Sequence, residues 1–198
     1  MKEFWNQRYS QEEYVFGTDP NEFFKSVIDR HKPGKLFVPG AGEGRDAVYA
    51  ATLGWEVYCI DMSESGKEKA LKLAAEKNVR IVYDVMDITA ADFSIARFDI
   101  IASIFFHLPQ IIRIPFHKNV DKWLKTGGMF VVEAFNPLQL PNSSGGPKDI
   151  EMLLTSGIIA AELSNLEIIE NFEVETVLAE GANHVGKANV LRFIGKKP

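Results

Sequence analysis

The stretch Leu36-Phe-Val-Pro-Gly-Ala-Gly-Glu-Gly-Arg-Asp46 constrains this chain more than any other. A short apolar run ends in three alternate glycines, Gly40, Gly42 and Gly44, and a segment with helical apolar spacing follows at once. The pattern predicts a strand, a tight turn and a helix N-terminus. Glycine supplies positive φ there and lets backbone approach a ligand closely. Amide donors and the helix dipole add a site for a polar or anionic group.

At 198 residues the chain is expected to be one domain with a sizeable core, residues 1–34 forming an N-terminal lead-in. Its formal charge of −5 argues against nucleic acid or an anionic membrane as main partner. Cys59 is the only cysteine, which excludes an intrachain disulfide framework and a zinc cluster, and no metal site is expected. It lies in an apolar run and reads as a buried thiol. The N-terminal Met-Lys-Glu-Phe-Trp-Asn-Gln-Arg has no apolar signal region, and no stretch has the length of a membrane span. A cytoplasmic protein is expected.

Residues 1–34 read as an aromatic lead-in, with Trp5, Tyr9, Tyr14 and Phe16, followed by a helix that Asp19 caps and Pro20 begins. The lead-in either packs that helix on a sheet or forms a lid over a ligand. Strands are expected at Lys35–Val38, Glu56–Ile60, Val79–Tyr83, Phe98–Phe106 and Met129–Ala134. Helices are expected at Arg45–Leu53, from a Ser63 cap to Lys77 with Asn78 as stop, and over Ile111–Leu124 with Pro115 interrupting or delaying it. Phe135–Lys148 reads as a long loop and Asp149–Asn165 as a helix that Gly157 breaks. Phe172–Ala179 and Lys187–Gly195 read as an antiparallel hairpin. The alternation predicts an α/β fold: a doubly wound, mostly parallel seven-stranded sheet with a C-terminal antiparallel hairpin.

Several ligands suit a strand, glycine loop and helix. A phosphate-binding P-loop requires Gly-Lys-Ser/Thr, and Gly44-Arg45-Asp46 excludes it. A dinucleotide site prefers Gly-x-Gly-x-x-Gly, and Gly44 comes one place early. S-adenosylmethionine is a third candidate, and a plain turn without ligand a fourth. Asp61 ends the second strand, placed to accept from ribose hydroxyls of either nucleotide cofactor. Asp87 follows the third, where a carboxylate can accept from an adenine amino group while Ile88 packs on the ring.

The ordered set Val38-Pro-Gly-Ala-Gly-Glu-Gly-Arg, Ile60-Asp61, Asp87-Ile88, Phe98-Asp-Ile-Ile and Leu124-Lys-Thr-Gly-Gly resembles class I S-adenosylmethionine-dependent methyltransferases. Ser103-Ile-Phe-Phe-His-Leu-Pro, Glu133-Ala-Phe-Asn-Pro-Leu-Gln-Leu, Gly145-Gly-Pro-Lys and Glu180-Gly-Ala-Asn-His-Val-Gly-Lys-Ala resemble the small bacterial tellurite-resistance and thiopurine methyltransferase-like group. The resemblance implies S-adenosylmethionine as cofactor. It implies loop contacts at Gly40, Ala41, Gly42, Gly44 and Arg45, and further contacts at Asp61, Met62, Asp87, Ile88, Ser103 and Tyr14. One departure stands out: the acidic residue usual two positions before the first glycine is Val38 here.

Methyl transfer from a sulfonium needs positioning and exclusion of water more than a base. His107, His184 and Asn136 are the candidate acceptor-site residues, with Phe105, Phe106 and Phe135 as walls. A structural hydrogen-bonding role is the alternative for each histidine, and His117 reads as a solvated surface residue. The expected partner is a small-molecule acceptor, a thiol or chalcogen by resemblance, for a monomer or dimer without nucleic acid or membrane. The rival functions are a non-catalytic S-adenosylmethionine-binding protein and a nicotinamide-dependent oxidoreductase.

Overall fold

Apolar runs and glycine turns build alternating elements along the chain. The computed structural model describes residues 1–93 and 96–198. The chain divides into two compact units, Met1–Ala91 with Glu180–Asn183, and Asp92–Ala179 with His184–Pro198.

In the first unit, helices α1 (Lys2–Tyr9) and α2 (Glu22–Ile28) precede β1 (Lys35–Pro39), α3 (Arg45–Thr52) and β2 (Glu56–Asp61). Then come α4 (Glu64–Glu76), β3 (Val82–Val85) and a 3-10 turn at Ile88–Ala90. Strand β1 buries Leu36, Phe37 and Val38 and pairs parallel with β2, which pairs parallel with β3. Ser63 caps α4 by accepting from the Gly66 amide, and Asn78, at φ +56°, ends it, both as its sequence predicts.

Some boundaries in this unit differ from expectation. Asn21, not Asp19, caps α2: its side chain accepts from the Phe24 amide, while exposed Asp19 lies outside the helix. Strand β3 begins at Val82 because the preceding apolar residues close the helix end instead. The Val79 amide donates to the Ala74 carbonyl at 2.9 Å, and Val79 and Ile81 pack against Val48, Leu73 and Ala74.

The second unit runs β4 (Phe98–Ile104), α5 (Gln110–Trp123), β5 (Leu124–Phe135), α6 (Ser156–Glu162), β6 (Glu167–Glu180) and β7 (His184–Lys196), with 3-10 turns at Pro137–Gln139 and Ile150–Met152. Strand β5 pairs parallel with β4 and antiparallel with β7. Among the described residues the sheet has seven strands in the order β3-β2-β1-β4-β5-β7-β6, the expected α/β arrangement with its C-terminal hairpin.

Pro115 neither interrupts nor delays α5. The helical donor it lacks would have met the carbonyl of Ile111, a residue 83 % exposed, so the missing hydrogen bond falls at the surface rather than in the core. Lys125-Thr-Gly-Gly128 joins β5 rather than preceding it, because the Gly127 amide and the Gly128 carbonyl both bond Lys197. The expected helix over Asp149–Asn165 splits at Leu153–Thr155, where Leu153 and Leu154 are buried and Thr155 caps α6. Both hairpin strands are longer than expected, leaving only residues 181–183 between them.

His117 is not solvated. It is 3 % exposed, and its Nδ1 lies 2.7 Å from Glu162 Oε2. Arg113, one turn earlier on α5, binds the same carboxylate. Burial raises the Glu162 pKa, but hydrogen bonds from His117 and Arg113 outweigh it and bring the group down to about 2. Among the described residues, no helix is long and apolar enough to cross a membrane.

Candidate active site

The glycine loop between β1 and α3 is left-handed at all three glycines, with φ of +64°, +52° and +84° at Gly40, Gly42 and Gly44. Only glycine adopts this repeatedly at low cost. Packing demands glycine as well. A Cβ on Gly42 would lie 2.7 Å from the Tyr9 hydroxyl, and one on Gly44 would lie 2.6 Å from the Ala70 Cβ. Loop amides already have work inside the protein: Ala41 donates to the Ile60 carbonyl, Gly44 to the Ala41 carbonyl, and Gly42 to Asp61 Oδ2 at 3.1 Å.

Asp61, which ends β2, is therefore tied to the loop. Its other oxygen accepts from the Ser63 amide at 2.9 Å. Burial raises its pKa, opposed by the amides of Ser63, Gly42 and Met62. Met62 enters the site through that backbone donor. A carboxylate offers about four acceptor positions, so Asp61 retains capacity for a ligand hydroxyl.

Around the loop, the charged side chains form a closed network. Glu43 is buried, accepting from the Val15 amide at 2.8 Å and from Lys69 Nζ at 2.7 Å. Arg45 donates to Glu180 at 2.9 Å and to the Phe16 carbonyl at 3.2 Å, so its guanidinium binds the hairpin turn and the lead-in. Asp46 accepts from the Asn21 amide, and Asn21 in turn donates to Glu180. Burial pushes the Asp46 pKa up. Glu43 faces Lys69 and Asp46 lies beside Arg45, whereas Asp61 is held by backbone amides and suits a hydroxyl-bearing ligand.

The aromatic lead-in packs closely onto this loop. Tyr9 is buried and stacked with Trp5, and burial followed by the Asp61 and Glu43 carboxylates raises its pKa. Asn6 accepts from the Ser63 hydroxyl and the Ser65 amide at the start of α4. Tyr14 does not leave its hydroxyl free: it donates to the Lys69 carbonyl at 3.1 Å. Tyr83, buried with its pKa raised by burial and Asp61, donates to the Gly42 carbonyl at 2.7 Å. Glu43, Lys69 and Tyr83 were not predicted from sequence, since each acts through a partner far along the chain.

Asp87 is exposed and caps the following 3-10 turn, accepting from the Thr89 amide and hydroxyl, with Ile88 buried beside it.

In the second unit the expected acceptor residues form a ring cluster. Phe105 lies 4.6 Å from Phe135 and 4.8 Å from His184, and Phe135 lies 5.4 Å from His184 (ring centroids). His107 stacks on Phe135 at 5.5 Å and 11°. Phe106 packs instead edge-on to Phe116 of α5. Phe105 adopts φ +49°, costly for a bulky side chain, on the order of 1–3 kcal/mol, and such strain concentrates at functional sites. No local sequence signal announces it.

The polar members are committed. His107 Nδ1 lies 3.0 Å from the Phe105 carbonyl, while Nε2 accepts from the Phe135 amide at 3.0 Å, a pairing that selects the neutral Nδ1–H tautomer. Burial pushes its pKa down to about 4, against the Phe105 carbonyl and with help from His184. Asn136 is buried, accepting from the Leu138 amide and donating to the Val190 carbonyl. Ser103 is buried within β4.

A family model described as "Methyltransferase domain" matches residues 39–128. That segment opens with the glycine loop and closes at Gly128. Similar solved structures cover the rest. TehB from Haemophilus influenzae is 18 % identical with a TM-score of 0.74, covering 100 % of this chain and 67 % of its own. The N-methyltransferase NodS from Bradyrhizobium japonicum WM9, solved with S-adenosyl-L-homocysteine, is 14 % identical with a TM-score of 0.69 and 98 % coverage of each chain. A structure described for conversion of a disulfide bond into a thioacetal group during echinomycin biosynthesis is 12 % identical with a TM-score of 0.82, covering 100 % of this chain and 91 % of its own. These likenesses identify the Rossmann-like methyltransferase fold. No curated protein matches the chain.

Proposed function

We propose that this chain is an S-adenosylmethionine-dependent methyltransferase acting on a small-molecule acceptor, a thiol or chalcogen. The observation that carries the reading is the left-handed glycine loop whose Gly42 amide is tied to Asp61 at the end of β2, within a methyltransferase fold. The methyltransferase-domain match over the same loop and a similar structure solved with S-adenosyl-L-homocysteine support the cofactor. When bound, S-adenosylmethionine supplies an electrophilic methyl group on a sulfonium.

The chain's own residues do the rest. Asp61 accepts from ribose hydroxyls, and Asp87 with Ile88 receives the adenine. Val38, 3 % exposed, offers no carboxylate to the methionyl ammonium, which leaves loop carbonyls as its partners. We assign the protein to the cytoplasm, without nucleic acid or membrane as partner.

Thermal unfolding with S-adenosylmethionine, S-adenosylhomocysteine and NADH in parallel tests the reading. A ligand at 100 times its dissociation constant stabilises by about 2.7 kcal/mol. Raised midpoints with both sulfur ligands are expected; a rise with NADH alone defeats the proposal.

A further inference from the structure

We infer that His107 is a positioning residue rather than a proton acceptor: it splices the ends of β4 and β5 into an apolar wall for the methyl acceptor, which arrives with its lone pair already free. This rests on the methyl-transfer reading above and specifies the chemistry of its acceptor.

A general base needs an unshared ring nitrogen within reach of the proton it removes. Neither nitrogen of His107 is unshared: Nδ1–H donates to the Phe105 carbonyl, and Nε2 takes the Phe135 amide, both at 3.0 Å. Accepting a proton at Nε2 would cost the Phe135 bond. The imidazole thus bridges the two backbones just where the chain leaves β4 and ends β5.

What the bridge holds is specific. The Phe105 amide donates to the Glu133 carbonyl at 2.7 Å, continuing the β4–β5 pairing by one residue. Its φ of +49° then turns the chain out of the strand, and the next polar partner is His107. Phe105, Phe135 and the edge of His184 meet in one cluster: half-buried Phe105 and His107 form its accessible face, and Phe135 and His184 are buried behind them. Asn136 cannot substitute as a base, since an amide accepts no proton at neutral pH and both its ends are bonded.

A wall of this kind grips an apolar body and leaves the nucleophile to its own ionisation. In the transfer, the acceptor lone pair forms the new bond to carbon as the carbon–sulfur bond breaks, its electron pair remaining on the former sulfonium; a thiolate becomes a thioether and no proton moves. An alcohol or ammonium acceptor would need deprotonation that His107 does not provide.

The test uses the full-length protein, with thiophenol as ionised probe and phenol as protonated control. Glutamine spans the same two bonds, donating through its amide nitrogen and accepting through its oxygen, yet cannot serve as a base. His107→Gln is expected to keep both kcat and KM for thiophenol near wild type, and the Phe105 and Phe135 amide resonances in place. His107→Ala is expected to raise KM by roughly 10- to 100-fold through misplacement of the wall, to shift those resonances, and to leave S-adenosylmethionine binding by calorimetry unchanged.

A kcat loss of about 100-fold or more in the glutamine variant, with cofactor binding intact, would mark His107 as a base and overturn the proposal. Wild-type protein that binds S-adenosylmethionine but methylates phenol faster than thiophenol, or leaves thiophenol untouched, overturns the acceptor assignment. Calorimetry reads the underlying function separately: wild type that takes up no S-adenosylmethionine removes that reading itself.

Discussion

Acid should destabilise the second unit in two separable steps. His107 titrates near 6.5 in an unfolded chain and near 4 when folded, because burial disfavours its charged form. Below pH 6.5 the unfolded chain gains a proton that the folded one refuses, so stability falls from about 6.5 down to about 4 and then levels off. Glu162 behaves as a depressed acid. Its contribution is complete above 4.5 and is lost as pH falls through about 2.

Each gap is about 2.5 pH units, from 6.5 to about 4 and from 4.5 to about 2. At about 1.36 kcal/mol per unit the ceiling is roughly 3.4 kcal/mol for each group. His107 is half-buried rather than fully buried and the Glu162 side chain retains 11 % exposure, so solvent screening brings each to about 1.5–2 kcal/mol. Urea unfolding at a series of pH values, read at constant m, measures both. His107→Gln should flatten the limb between pH 6.5 and 4, and Glu162→Gln the limb below 4.5. A His107→Gln protein that keeps the wild-type slope over the upper limb would refute the assignment of a half-buried, neutral imidazole.

Glu180→Ala leaves Arg45 and Asn21 without their shared buried carboxylate and should cost about 3 kcal/mol. For a chain of this size that lowers the calorimetric Tm by about 6–12 °C. Gly42→Ala, at φ +52° with a Cβ 2.7 Å from the Tyr9 hydroxyl, should weaken S-adenosylmethionine binding by about tenfold or more in fluorescence titration, about 1.4 kcal/mol. Gly127→Ala, at φ +78° with nothing within 4 Å, should cost only about 1–2 kcal/mol of stability and leave binding alone. Phe135→Ala removes a fully buried ring and should lose about 3–5 kcal/mol in urea unfolding.

The legible parts of this fold are those with local causes. The β1–loop–α3 unit follows from an apolar run and alternate glycines within eleven residues of sequence, Leu36 to Asp46. Ser63 and Asn78 bound α4 through their own hydrogen bond and backbone. Where partners lie far apart, sequence reasoning fails. Arg113 and His117 look like polar residues on a surface helix until Glu162 on α6 meets them both. Asn21 rather than Asp19 caps α2 because Asp46 and Glu180 bind Asn21 from elsewhere.

The site shows the same division. Gly42 and Asp61 could be placed by their positions at strand ends, and the structure joins them. The commitments of Arg45, Tyr14, Asn136 and His107 could not, since each is decided by a carbonyl, amide or carboxylate brought up by folding. The left-handed Phe105 is the strongest local oddity, and its aromatic side chain would argue against that conformation in any sequence-based reading.

In the proposed function, the loop closed onto Asp61 holds S-adenosylmethionine. Isothermal titration of the wild type and of Asp61→Ala tests it most directly. One site per chain for S-adenosylmethionine, displaced by S-adenosylhomocysteine, is expected, with at least about tenfold weaker binding in the variant, a change of about 1.4 kcal/mol. Undiminished binding in Asp61→Ala, or binding of NADH with no uptake of either sulfur ligand, would contradict it.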